Sequence, residues 1–341
     1  MVQKSYTAFY SSHSFWAGSK IDFPVSPTDE WFYRQMSEVV YAVNPEEFSL
    51  KVCRDGQILL QVKKLEARKD GSNLSKPIPM KDRVGLWSEY LDFLNTFYLL
   101  LASAVFDVDK LACFNLHEIT IRDAFRVAFD DEDEPSPGVL SSESLATTFI
   151  MGRHLSSYTG RPIGADSRLS FREVISIEAI SYAREQFALV ISQSGCEKVL
   201  ASFAKSISEY KIGNYEISIV LAWFITETIV NDLWSTHLDN LNKDLQDSSK
   251  RINADRKKFL TGTDFTISIV TNLLELFGVL EGDWLKKVDK VRKCRNSIVH
   301  TNTSSPGVDE AVLAIAVAQE MIARKWKIAL NLDLNYSIKG L

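Results

Sequence analysis

The spacing of apolar positions changes character once along the chain, from mixed periods in the first half to a sustained helical period in the second. In Phe48–Val52 apolar residues alternate with polar ones, and Ile58, Leu60 and Val62 alternate again. Between them sits Asp55-Gly56, a pair that tolerates the positive φ of a type I′ turn, so the pattern predicts a β-hairpin. A long helix is predicted over 82–105, where Trp87, Leu91, Leu94, Tyr98, Leu101 and Val105 step by four and three. A second stripe of Phe93, Phe97, Leu100 and Ala104 widens that face, and burial on two sides is expected. Phe114–Phe129 alternates once more, with a phase change between Leu116 and Ile119 that predicts a bulged strand or two short ones.

Asp130-Asp131-Glu132-Asp133-Glu134 then runs into Pro135-Ser136-Pro137-Gly138. Five like charges beside two prolines predict a solvated loop, or an acidic tether to a basic partner. Tyr158–Gly164 reads as a further loop. From about Ser170 the period is helical throughout, over roughly 171–192, 196–211, 214–242, 264–278, 282–299 and 309–330. Gly195, Gly213, Gly278, Gly282 and Pro306-Gly307 punctuate these helices, and Asn214 and Thr263-Asp264 read as N-terminal caps. Short connections between helices favour antiparallel neighbours. The expected fold class is therefore α+β: a mixed α/β domain over 1–165, then an all-α helical bundle over 166–341.

Composition bounds the function. A chain of 341 residues buries a sizeable core without disulfides or metals. Its net charge of −5 excludes a polycation that holds nucleic acid by bulk charge. The first residues lack the pattern of a signal peptide. The most apolar run, Leu91–Phe106, is short and contains Asp92 and Asn95, so a buried helix is expected there rather than a membrane span. The four cysteines and five histidines are scattered, which points to reduced thiols in a cytoplasmic setting and to no metal or other cofactor. The chain has no phosphate-binding glycine loop, no G-x-S-x-G and no H-E-x-x-H.

One segment carries candidate chemistry: Lys290-Val291-Arg292-Lys293-Cys294-Arg295-Asn296-Ser297-Ile298-Val299-His300, at the end of a predicted helix. On a helical wheel Trp284, Val288, Val291, Cys294 and Ile298 form one apolar face, and Arg295 falls near its middle. An arginine keeps its charge there, so it needs a core carboxylate, an interface or a cleft. His300 lies about 140° further around an ideal helix, while Asn296 shares the face of His300. Two copies of the helix about a twofold axis would bring one chain's histidine towards the other's arginine. His300 could instead serve the helix dipole, and Asn296 could be structural. Glu227 is placed on a face with Val220, Phe224 and Trp234, where it could orient Arg295 or form an unrelated surface ion pair.

Arg-Asn-Ser-Ile-Val-His resembles the signature of HEPN domains, in which an arginine and an adjacent polar residue precede a histidine. The run Tyr210–Glu216, followed by Ala222–Glu227, is similar to earlier HEPN helices, where a Gly-containing turn precedes an amphipathic helix bearing a glutamate. The resemblance covers roughly residues 170–331. It implies a homodimeric, metal-independent endoribonuclease of the kind found in toxin–antitoxin and anti-phage systems. Arg295, His300 and Asn296 would be its catalytic residues, with Glu227 in support. It also implies that domain 1–165 senses a trigger, restrains the nuclease or binds a regulatory protein partner. A non-catalytic helical module for dimerisation or RNA binding is the alternative.

Local charge fits a polyanionic partner. Lys243–His300 holds twelve basic and eight acidic residues, about +4, leaving about −9 elsewhere. Lys286, Lys287, Lys290, Arg292 and Lys293 flank the motif and are the candidate RNA-binding residues, with a solvated helix face as the plainer reading. Aromatic residues are not interleaved with these charges, so sequence-specific reading of bases is not indicated.

Overall fold

A computed structural model describes residues 4–22, 28–70, 79–112, 115–129, 172–243, 245, 249, 251–301 and 305–335. The acidic run 130–134, the loop 158–164 and the expected boundary near 165 lie outside the described residues. The fold is α+β. The chain divides into two compact units, Met1–Ala204 with Asn331–Leu341, and Lys205–Leu330.

In the first unit, β1 (Lys4–Phe9), β3 (Val39–Val43), β4 (Phe48–Cys53), β5 (Ile58–Val62) and β6 (Phe125–Phe129) form an antiparallel sheet in the order β3-β4-β5-β1-β6. A short parallel pair joins β2 (Phe15–Ala17) to β7 (Glu173–Ile175). The predicted β4–β5 hairpin forms with Phe48 opposite Val62 and Val52 opposite Ile58. Its turn differs from type I′, which needs positive φ at two successive residues, because only Gly56 has one (φ 87°). The Gly56 N–H reaches the Cys53 carbonyl at 3.0 Å and the Cys53 N–H reaches the Gln57 carbonyl at 2.9 Å. That is the three-residue loop with a glycine bulge. Asp55 is buried beneath it, accepting from the Gln57 N–H at 3.2 Å and the Tyr10 hydroxyl at 2.9 Å.

Three helices complete the sequence of elements before the long apolar run: α1 (Asp29–Ser37), α2 (Lys63–Asp70) and α3 (Met80–Ala104), the last extended by a wide turn through Asp109. Every residue from Phe93 to Leu101 of α3 is buried, as two apolar stripes require. Its partner is α4 (Ile177–Ile191), whose Phe187 meets the edges or faces of Phe48, Phe93 and Phe97 at 5.1–6.3 Å between ring centres. Asn95 explains the polar interruption in the run. Its amide accepts from the Ile119 N–H at 2.7 Å and donates to the carbonyls of Ile119 and Leu91, both at 2.9 Å. The side chain stands in for a neighbouring strand, and residues 115–120 accordingly run without a ladder of their own. Among the described residues of the predicted Phe114–Phe129 alternation, only 125–129 is strand.

α5 (Cys196–Lys211) contains the division between the units. Beyond it, α6 (Tyr215–Asn240), α7 (Ala254–Leu260), α8 (Ile267–Leu276), α9 (Gly282–Thr301) and α10 (Val308–Trp326) build the second unit. α6 is central, packing on α8, α9 and most extensively on α10. On α10, Ala311, Ala314 and Ala318 are fully buried, and their small side chains let the two axes approach closely. The predicted breaks at Gly213 and Gly278 are left-handed residues (φ 82° and 69°). At each the next N–H returns to a carbonyl five residues back, Asn214 to Glu209 at 2.9 Å and Val279 to Leu274 at 2.8 Å. The expected cap at Thr263-Asp264 falls instead at Thr266, and Asn214 occupies its cap position without a capping side-chain bond. By length and composition Met80–Asp109 and Tyr215–Asn240 could each span a membrane; the apolar stretch of the first is mostly buried in the fold and that of the second is half buried.

Candidate functional site

α9 carries the whole motif. Its first turns are anchored by Trp284, Val288 and Val291, each buried, and the face continues through Cys294 and Ile298, which are half-buried. Packing therefore thins towards the C-terminal end, where Val299 and His300 are exposed. This gradient sets the environment of the polar residues. Burial, together with the charge of Glu310, pushes the Cys294 thiol up from its ordinary range against the pull of Lys290, leaving it a poor nucleophile.

Arg295 lies on this face and is half-buried. Its Nη1 donates to Oδ1 of Asn296 at 3.1 Å, and its Nε is buried with no acceptor. Among the described residues no carboxylate pairs with the guanidinium. Asn296 is thus brought to Arg295. His300 is not: α9 continues unbroken to Thr301, and five residues of ideal helix separate the two side chains by about 140° and roughly 7.5 Å of rise. Within one chain the imidazole and the guanidinium point apart.

The flanking cations are mostly engaged. Asp289 accepts from Arg292 Nη2 at 2.6 Å and Lys293 Nζ at 2.7 Å, and these two donors hold its carboxyl below the usual range. Lys286 meets Asp283 at 3.0 Å, and Lys287 lies 3.8 Å from Glu320. Lys290 alone of the five has no acidic partner among the described residues. Such pairs, exposed or half-buried at the surface, contribute about 1 kcal/mol or less each, so a phosphate can compete for these cations. They do reduce the positive field that the sequence count suggests. The basic run Arg256-Lys257-Lys258 lies in the short helix α7, capped by the Asn253 side chain, with Lys257 on Asp239 at 2.7 Å.

Glu227 forms no ion pair with Arg295. It lines an open pocket of about 490 Å³ with Asn231 and Trp234 of α6, opposite the 261–266 segment and the start of α8. Glu227, Asn231 and Trp234 are spaced i, i+4, i+7, so they share one face of α6. That spacing was readable in the sequence; the opposite wall, from Thr261 to Thr266, carried no comparable signal. Among the described residues no three His, Cys, Asp or Glu side chains gather at metal-binding distance. Comparisons with protein-family models, curated proteins and solved structures return no match to this chain.

Proposed function

We propose that the chain is a metal-independent endoribonuclease that works as a homodimer in the cytoplasm, with Arg295 and Asn296 of one protomer completed by His300 of the other. The observation that supports this reading is the guanidinium of Arg295. It is half-buried, neutralised by no carboxylate among the described residues, and its Nε lacks an acceptor. A buried unmet donor costs about 1–3 kcal/mol, and an anionic ligand such as a phosphodiester would relieve it.

The chemistry follows from the residue types. The ribose 2′-oxygen attacks its own phosphorus and loses its proton to a base; the P–O5′ bond breaks and the 5′-oxygen takes a proton from an acid. The products are a 2′,3′-cyclic phosphate and a 5′-hydroxyl. An imidazole exchanges protons near neutral pH, which suits His300. The forked guanidinium of Arg295 would hold the non-bridging oxygens as their charge grows. Asn296 fixes that fork through Oδ1 and keeps its amide donors for the phosphate. Lys290 and, by exchange of partners, Lys286, Lys287, Arg292 and Lys293 would position the RNA backbone. A regulatory protein partner of the first unit belongs to the same reading.

The ion pairing of four of the five flanking cations favours a second reading, a non-catalytic module for dimerisation or RNA binding. Purified protein incubated with mixed single-stranded RNA in chelator separates the two. The first reading expects cleavage with cyclic-phosphate ends, lost in Arg295→Ala and in His300→Ala. It also expects partial recovery when the two inactive variants are mixed. No cleavage by the parent chain, or a monomer at micromolar concentration, overturns it.

A further inference from the structure

The pocket that holds Glu227 is a candidate binding site of a different kind from the α9 motif. Its lining is mixed: a carboxylate and a carboxamide from α6, threonine hydroxyls from the facing segment, and the rings of Trp234 and Phe265. Its volume of about 490 Å³ falls within the range of small-molecule sites, roughly 300–1,000 Å³. The walls are fixed. Trp234 is buried, its Nε1 donates to the Leu260 carbonyl at 2.8 Å, and its ring stacks at 16° on His237 and at 21° on Phe277. The facing segment is folded on itself by Phe265 N–H to the Gly262 carbonyl at 3.0 Å and by Phe259 against the Phe265 ring at 5.6 Å.

Glu227 is the one formally charged residue among those that line the pocket. No basic side chain and no hydrogen-bond donor engages it among the described residues. A carboxylate left without a protein partner, in a pocket whose other walls carry no charge, selects a positively charged ligand, because phosphate and carboxylate groups are repelled. We infer that this pocket binds a small organic cation, an amine or guanidinium group set between the Glu227 carboxylate and the aromatic walls. Asn231 and the hydroxyls of Thr263 and Thr266 supply the further acceptors that a multi-donor cation needs. The inference is independent of RNA cleavage: phosphate would be drawn to Arg295, and this pocket would refuse it.

Titration calorimetry on the full chain tests it with L-arginine, spermidine, the capped N-acetyl-arginine amide, and the uncharged isostere citrulline. Saturable binding of a cation, one per chain, with citrulline at least about tenfold weaker, is expected. Glu227→Gln should weaken that binding at least about tenfold, and Asn231→Ala by a smaller factor. Glu227→Asp, which keeps the charge on a shorter stem, should retain part of it. Binding of free arginine or spermidine but not of the capped amide supports a free metabolite as the ligand. Equal binding of the capped form supports an arginine side chain of a partner protein. Absence of saturable binding by every cation, citrulline binding as well as arginine, or a correctly folded Glu227→Gln chain binding unchanged overturns the proposal.

Discussion

Replacing Arg295 by methionine separates a structural arginine from one reserved for a ligand by the sign of its effect. A guanidinium held in a buried ion pair would leave an unpaired buried carboxylate when removed, at about 3–5 kcal/mol of lost stability. Arg295 has no such partner among the described residues, and its Nε is buried without an acceptor. The relevant magnitude is therefore the desolvation of an unmet donor, about 1–3 kcal/mol, taken near the lower end because the side chain is only half-buried. Against it stands the 3.1 Å bond to Asn296, about 1 kcal/mol. Methionine keeps the straight apolar stem on a face already formed by Val291, Cys294 and Ile298. Arg295→Met should thus leave stability unchanged or raise it slightly, by less than about 1 kcal/mol. The assay is urea unfolding followed by circular dichroism at one chain concentration, since the proposed dimerisation would make the midpoint concentration-dependent. Hydrogen exchange over α9 would localise the change to the second unit. A loss of about 3 kcal/mol with an unchanged denaturant slope would refute the argument and make Arg295 a structural cation.

The first unit offers sharper tests of packing. Burial lifts the Asp92 carboxyl to about 6, partly opposed by Lys198, so the native state holds its proton more tightly than the unfolded chain does. Its contribution is fully present below pH 4 or so and is lost as pH rises through about 6. Asp92→Asn should remove that slope from urea midpoints measured between pH 4 and 8, and stabilise the chain by about 1 kcal/mol at neutral pH after allowance for solvent screening. An unaltered slope would count against it. Asn95→Leu strands the Ile119 N–H and C=O together and should cost about 2–4 kcal/mol, whereas a nearly neutral outcome would show that water replaces the amide. Phe187→Ala, which removes the ring that Phe48, Phe93 and Phe97 meet, should cost about 3–5 kcal/mol by the same unfolding measurement. A cost below about 1 kcal/mol would mean that the site collapses around the missing ring.

The periodicity of apolar residues determined the long helices and the change from mixed to helical structure, because a helix or strand must bury its own apolar face. The glycine stops at Gly213 and Gly278 were equally local: positive φ is a property of one residue and its immediate hydrogen bonds. Other features needed partners far along the chain. At Gly56 the tertiary fold adds a constraint of its own, because the Phe15 ring stands 3.2 Å from where a Cβ would sit. Residues 115–120 alternate like a strand, yet bond to Asn95 from a helix 24 positions earlier. The candidate site divides in the same way. Arg295 on an apolar face was legible from angles on one helix, as was the divergence of His300, since both are fixed by a rotation of about 100° per residue. That Arg295 lacks a carboxylate among the described residues, that Asp289 gathers Arg292 and Lys293, and that Glu227 lines a pocket instead of pairing with Arg295 were decided only by which helices came together. Ion pairs and cavities are properties of two surfaces, and a one-dimensional pattern describes only one of them.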